Sequence, residues 1–363
     1  MKASAAVVLE KSGDIRFTEV EVKEPHLNEV LVRIVSTGIC HTDLGVCDQH
    51  IHTPIPIALG HEGSGIVERV GPGVTSFKPG DHVVMSFSYC GECENCLRGK
   101  PNACDRFFDL NFGGVMLDGT TRLSIGEQAV GTLFGQSSLA TYATVHVNNL
   151  VRVDKELDLQ LLGPLACGIQ TGAGTVFNTL KPGFGESIAI FGCGGVGLSA
   201  VMAAKLTSCH RIIAVDINEE RLNLAFELGA TDVINALHVN PSEEITRITN
   251  GGAHYAIESS GVASLVAEGV RSLRVRGTLA VVGVSGEVTL HIHDDLIPPN
   301  RTVIGVTQGN SIPKLFIPQL IQYYKENRFP FDRLIRVYPH TQLNEAITDM
   351  KTGKTIKPVI SFV

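Results

Sequence analysis

The sequence predicts a two-domain α/β protein, a mainly β first half followed by a doubly wound parallel sheet, and three observations carry that prediction. The chain has 363 residues, more than one hydrophobic core serves, since single cores stop growing at about 250–300 residues. Near Leu161 the texture changes from short β-type runs broken by Gly and Pro to apolar runs alternating with helical patterns, the signature of βαβ units. A glycine-rich turn, Gly192-Cys193-Gly194-Gly195-Val196-Gly197, then stands between an apolar run and a helical pattern.

In the first half, Val30 to Val35 and Gly65 to Val70 are alternating or continuous β-type runs bounded by turn residues. In the second, Ser187 to Phe191, Arg211 to Val215, Asp232 to Ile234, Tyr255 to Glu258 and Thr278 to Val282 are the expected strands of a parallel sheet, with Thr302 to Ile304 after them. The pattern breaks at Gln308-Gly309-Asn310. A helix is expected from Pro318 to Asn327, and a last β-type run from Lys357 to Phe362. Periodicity does not say which domain that tail joins.

Composition excludes several function classes. Hydrophobic residues make up 44% and charged residues 18%, which is globular composition. The net charge is −7 with no basic block, so no nucleic-acid partner is expected. Leu159 to Leu180 and Ser187 to Ala204 are uncharged runs long enough to span a bilayer, but their glycines, with Gln, Thr and Pro in the first, mark them as buried sheet and turns, and no membrane role is expected. The start, Met1-Lys2-Ala3-Ser4, passes through Val7-Val8-Leu9 into Glu10-Lys11 without the apolar core of a secretory signal, so a cytoplasmic, reducing location is expected. There, clustered cysteines are metal ligands rather than disulfides.

The glycine turn has a chemical reason. A G-x-G-x-x-G between strand and helix lets the backbone turn tightly and approach a pyrophosphate, whose charge rests on the helix N-terminus. Asp216 ends the next strand nineteen residues after Gly197, where an acid accepts both ribose hydroxyls and repels a 2′-phosphate. NAD is therefore expected over NADP, although Arg221 nearby is a residue type that holds a 2′-phosphate. A purely structural glycine turn is the other reading of such a motif.

Cys90-x2-Cys93-x2-Cys96-x7-Cys104 places four thiols in one loop that Gly91 and Gly99 let curl. Four thiolates close a tetrahedral shell, the pattern of a structural zinc. An iron–sulfur cluster is the rival, but the ferredoxin run has its fourth Cys after three residues followed by Pro, whereas here the gap is seven and Asp105 follows. Four unligated thiols are the third reading. Cys40, His61 and Cys167 are also possible ligands, yet each by itself reads as a buried thiol or a satisfied histidine, and spacing does not join them.

Taken together, Gly38-Ile39-Cys40-His41-Thr42-Asp43, Gly60-His61-Glu62-Gly63-Ser64-Gly65, the four-cysteine loop, the glycine turn and Asp216 resemble the zinc-dependent alcohol dehydrogenases of the medium-chain dehydrogenase/reductase superfamily, over essentially the whole chain. The nearest likeness is to aryl (benzyl) alcohol and geraniol dehydrogenases, through Leu110 to Gly114, Phe134 to Ser138, Leu162 to Gly174 and Phe329 to Asp332. The resemblance implies a GroES-like catalytic domain, residues 1–165 and 306–363, carrying both zinc sites, and a Rossmann NAD-binding domain, residues 166–305. It implies two zinc ions per chain, one catalytic on Cys40, His61 and Cys167 and one structural on Cys90, Cys93, Cys96 and Cys104. A shell of two cysteines and one histidine with a fourth position open is the general pattern of the catalytic zinc in alcohol dehydrogenases.

By matched position, Asp43 orients His61, Glu62 lies close to the metal, and Thr42 accepts the substrate proton. For the cofactor, Gly192, Gly194, Gly195 and Gly197 form the turn, and Thr171, Val196, Gly283 and Val284 are expected at the dinucleotide. Asp216 and Arg221 would hold the adenosine ribose, and His41 and Lys357 the pyrophosphate. Phe87, Phe112, Leu139 and Val284 are the expected apolar wall. The implied reaction is NAD-dependent oxidation of primary aryl or allylic alcohols to aldehydes, and its reverse, in a homotetramer or homodimer that pairs edge strands of the cofactor sheets. Gly45 stands where several relatives end their proton relay in a histidine, with His50 or solvent as substitutes. Cys47, Cys193 and Cys209 have no ligand role. The alternatives are a thiol-dependent formaldehyde dehydrogenase of the same superfamily and a non-catalytic, zinc-stabilised NAD-binding protein.

Overall fold

The computed structural model describes residues 1–363 and divides into two compact units. The first comprises Met1–Cys167, Ile312–Gln319 and Asp332–Val363; the second comprises Gly168–Ser311 and Leu320–Phe331.

In the first unit, Lys2–Val8, Arg16–Val22, Leu123–Ile125, Gln128–Thr132 and Ile57–Ala58 close into a small barrel. Beside it, a seven-stranded sheet runs Leu150–Val153, His82–Met85, Gly63–Val70, Glu29–Gly38, Lys357–Ser361 and Ile335–Pro339, with Tyr142–His146 also paired to Glu29–Gly38. The tail strand thus pairs antiparallel with Glu29–Gly38, Val359 opposite Gly38. Glu29–Gly38 is buried along nearly its whole length, as its continuous run of Val, Leu and Ile requires of a strand covered on both faces. Arg122 is fully buried in this unit and meets Glu29 through Nε and Nη2, each at 2.7 Å, and Asp118 at 2.6 Å.

In the second unit, six parallel strands stand in the order Asp232–Asn235, Arg211–Asp216, Ser187–Phe191, Ala253–Glu258, Leu273–Val281 and Thr302–Gly305. Numbered along the chain this is 3-2-1-4-5-6, the doubly wound dinucleotide order. Helices Gly195–Lys205, Glu219–Leu228, Pro241–Thr249 and Ala263–Arg271 join them. Two have side-chain caps that the sequence explains: Asn218 Oδ1 accepts from Arg221 N, and Asn240 Oδ1 accepts from Glu243 N with Pro241 in the first turn. Ala189, Phe191, Ile213, Val215, Ala256 and Leu279 fill the sheet core.

Two strands start earlier than expected, at Ala253 and Leu273. The expected helix from Pro318 instead runs Pro313–Lys325, with Pro318 inside it. Pro318 reads as a start because proline suits a first turn, but Leu315 N and Phe316 N already bond to Ile312 O, so the first turn closes before it. No helix is long and apolar enough to cross a membrane.

Candidate active site and metal clusters

Strands Glu29–Gly38 and Gly63–Val70 pair with Thr37 opposite Gly63. The turn after one carries Cys40 and the turn before the other carries His61, so topology brings together two residues far apart in sequence. Gly38 N donates to Glu62 O at 3.0 Å. Cys167 arrives from the other side: a Cβ on Gly163 would lie 2.3 Å from Glu62 O, so only glycine lets that segment approach. One ligand atom each from Cys40, His61, Glu62 and Cys167 then lies within 4.8 Å of the others.

Asp43 fixes this geometry. Its Oδ2 accepts from Cys40 N at 3.0 Å, while Oδ1 accepts from Gly60 N at 2.9 Å and lies 3.3 Å from His61 Nδ1. The carboxylate therefore takes Nδ1 and leaves Nε2 facing the thiols. His61 Nε2 is buried with no hydrogen-bond partner, and such an orphaned nitrogen is costly unless an ion meets it. Burial works against the charged imidazole, but the Asp43 carboxylate and Cys40 outweigh it and hold His61 well above its ordinary range. The neighbouring Cys167 thiol, with Lys357 and His61, holds Cys40 well below the ordinary thiol range despite burial. A site that favours one thiolate beside an imidazole whose Nδ1 is taken by a carboxylate fits a divalent cation, which a neutral ring meets through Nε2. Two thiols and one imidazole are a zinc donor set.

Lys357, expected at a pyrophosphate, is buried beside this cluster. Its Nζ lies 2.8 Å from Glu62 Oε1 and donates to Ile39 O at 3.2 Å. Burial opposes its charge, but Glu62, Cys40 and Cys167 keep its ammonium well above the ordinary lysine range. His41 is exposed at the start of helix His41–Cys47, and Thr42 is half-buried with Oγ1 3.7 Å from Cys40 Sγ. A Cβ on Gly45 would meet Ile51 at 3.2 Å, so Ile51 occupies the space beside it, and His50 is exposed.

Phe87 and Leu139 are buried in one cluster with Phe134, and Phe112 packs against it. Phe112 meets Phe134 edge-on at 5.1 Å, and Phe134 lies over the His61 imidazole at 4.7 Å. Val284 belongs to the second unit and is 81% exposed. Phe134 and Gln136 are visible in the sequence only as part of a resembling segment. Neither periodicity nor spacing marks a ring that covers a histidine or an amide that grips its backbone.

The second cluster is the four-cysteine loop. Cys104 Sγ lies 3.5 Å from Cys90 Sγ, Cys90 Sγ 3.9 Å from Cys96 Sγ, and Cys93 Sγ 4.0 Å from Cys104 Sγ. These match the edges of a tetrahedron with a metal–sulfur distance of about 2.3 Å, which are roughly 3.8 Å, and none approaches a disulfide bond of about 2.05 Å. An iron–sulfur cluster, itself several atoms across, needs its cysteines farther apart. Backbone N–H groups of Cys93 and Asp105 donate to Cys90 and Cys93 sulfurs at 3.3 and 3.5 Å. The Asp105 N–H leads the causes that bring Cys93 down to about 7. The loop is compatible with a structural zinc.

In the second unit, Gly192 is left-handed at φ 92°, and a Cβ on Gly197 would fall 1.8 Å from Gly192 O. Those two glycines are needed for the turn itself. A Cβ on Gly194 would meet nothing within 4 Å, so the turn leaves open space at the N-cap of helix Gly195–Lys205, the cradle a pyrophosphate fits. Asp216 sits half-buried at its strand end, where it accepts from Cys193 N, Ile217 N and Asn218 N. Val196 packs its carbonyl where Gly172 has no side chain, and Thr171 is buried on the same helix as Gly172. Gly283 faces Gly261, where a Cβ would come within 2.4 Å of a backbone nitrogen. Arg221 lies in the first turn of helix Glu219–Leu228. Cys47 and Cys193 are buried and Cys209 is half-buried, all outside both metal clusters.

Residues 26–155 match the family model of the alcohol dehydrogenase GroES-like domain, and residues 195–325 that of the zinc-binding dehydrogenases. Geraniol dehydrogenase of Castellaniella defragrans is 41% identical over 371 aligned residues, covering 100% of this chain and 98% of that protein. The crystal structure of benzyl alcohol dehydrogenase from Acinetobacter calcoaceticus superposes with a TM-score of 0.96 at 44% identity, covering 100% of both chains. An alcohol dehydrogenase zinc-binding domain protein from Burkholderia ambifaria gives 0.96 at 45% identity, covering 99% of each chain. With a GroES-like unit, a doubly wound parallel sheet and likeness to alcohol dehydrogenases along its full length, the chain belongs to the zinc-binding alcohol dehydrogenases of the medium-chain dehydrogenase/reductase superfamily.

Proposed function

We propose that the protein oxidises primary aryl or allylic alcohols to aldehydes with NAD, and runs the reverse reaction, by zinc-assisted hydride transfer. The observation that carries this reading is the convergence of Cys40, His61 and Cys167 around an orphaned, buried Nε2. When bound, zinc supplies Lewis-acid polarisation of the alcohol and NAD supplies the hydride acceptor. Cys40, His61 and Cys167 would hold the one, and the Gly192–Gly197 turn with Asp216 the other. Thr42 Oγ1, 3.7 Å from Cys40 Sγ, would accept the substrate's hydroxyl proton as it passes its own on towards solvent. Asp43 holds the imidazole in one tautomer and one orientation.

The substrate class rests on the aromatic wall of Phe112 and Phe134 next to His61 and on likeness to proteins named for geraniol and benzyl alcohol. An apolar, planar carbinol suits such a wall, and its developing carbonyl conjugates with the neighbouring π-system. Thr302–Gly305 ends the parallel sheet as an edge strand, and in a homotetramer or homodimer that edge would pair with a second copy. The test is C40S: turnover is expected to vanish and bound metal to fall from two per chain towards one, while NADH still binds. Retained activity would overturn the zinc assignment.

A further inference from the structure

We infer that Gln136 is a positioning residue for the metal ligand His61, acting through the backbone on either side of it. The side chain is 1% exposed. Its Nε2 lies 3.1 Å from His61 O, 3.2 Å from Met85 O and 3.0 Å from Ser86 O, and its Oε1 accepts from Gly63 N at 3.4 Å. One carboxamide therefore ties the His61-Glu62-Gly63 turn to the end of strand His82–Met85. The donor pattern fixes which end is nitrogen, since three carbonyls face one end and an N–H faces the other.

The segment around Gln136 is built for this task. Phe134, Gly135 and Ser137 all have left-handed φ, at 52°, 58° and 50°, a conformation that Phe and Ser adopt only when surroundings enforce it. The enforcement comes from the residues just before His61. Ser137 Oγ donates to Ala58 O at 2.7 Å, Ser138 N donates to Gly60 O at 3.0 Å, and Leu139 N donates to Leu59 O at 3.0 Å. Gly60 and Gly63 permit the approach: a Cβ at either would come within 2.0 Å of Leu139 N or 2.4 Å of Ser138 Cβ. The strained loop thus lays the Phe134 ring on the imidazole and brings the Gln136 amide to the His61 carbonyl and the Gly63 N–H. Asp43 fixes the imidazole's rotation, and Gln136 fixes where its main chain stands.

This inference rests on the zinc reading above, and its test separates the two. Wild type, Q136M and Q136N are loaded with cobalt(II), and loss of each ion to a chelator is followed by the thiolate–cobalt absorption well below the melting temperature. Q136M keeps the length without the donors; Q136N keeps the donors on a shorter stem and serves as well where Q136M does not fold. The catalytic-site ion is expected to leave about 10–100-fold faster in the variants, with a changed ligand-field band, while the ion on Cys90, Cys93, Cys96 and Cys104 leaves at the wild-type rate. Wild-type loss rates and spectra in a folded variant would overturn the role of Gln136. Absence of cobalt from the Cys40 cluster in wild type would instead overturn the zinc reading.

Discussion

Lys357 Nζ stands 2.8 Å from Glu62 Oε1 in a buried ion pair whose two members come from opposite ends of the chain. Glu62 is wholly buried and burial pushes its carboxyl up to about 7 even beside Lys357, so removing the ammonium would leave it protonated and short of a hydrogen-bond partner. K357M is therefore expected to destabilise the protein by about 1–3 kcal/mol, read as the shift in a reversible denaturant midpoint. A shift within the noise of surface substitutions would show that the pair has no structural weight.

Strand Gly63–Val70 tolerates no side chain at its first residue. A Cβ on Gly63 would lie 2.2 Å from Met85 Cε and 2.4 Å from Ser138 Cβ. Relief moves either the strand or the loop that faces His61. G63A is expected to cost about 1–3 kcal/mol and to lower kcat more than it raises the KM for alcohol; unchanged stability and kcat would contradict the packing described.

Asp216 has a double assignment, three backbone N–H groups in the protein and the proposed ribose hydroxyls. D216N keeps an acceptor but removes the charge. The loss of charge-assisted bonds, roughly 1.5–3 kcal/mol, predicts a KM for NAD raised by about 10–100-fold, with discrimination against NADP narrowed because the repulsion is gone. Equal effects on both cofactors would sink the ribose role.

Acid stability is expected to depend on Asp118. Burial pushes its carboxyl up, but the Arg122 guanidinium and the Thr120 hydroxyl and N–H overcome this and hold it well below the usual carboxylate range. A pKa depressed in the folded state stabilises above the unfolded value of about 4. That contribution disappears as pH falls from there through the folded value. In D118N the acid limb of stability against pH should therefore be shallower than in wild type. Parallel acid limbs would contradict the pairing with Arg122.

How far the sequence alone reaches depends on the range of the interaction that decides each feature. The parallel strands are legible because Ile188–Phe191 and Ile212–Val215 are buried on both faces and so read as continuous apolar runs. The four-cysteine loop is legible because its ligands are neighbours in sequence. Cys40, His61 and Cys167 are not, since only pairing of Thr37 with Gly63 and the close approach of Gly163 to Glu62 join them; resemblance supplies that grouping. The helix start at Pro313 escapes sequence reasoning because Pro318 obeys the same local rule. The positions of Lys357 and Gln136 depend on contacts made across hundreds or tens of residues, which no local pattern records.

The central claim is tested most directly by the initial rate of NADH formation from NAD with benzyl alcohol, beside geraniol and ethanol at equal concentrations. Rapid oxidation of benzyl alcohol or geraniol with ethanol nearly inert is the predicted result. Ethanol as the best substrate would contradict an aryl or allylic pocket while leaving both cysteine clusters and the glycine turn in place.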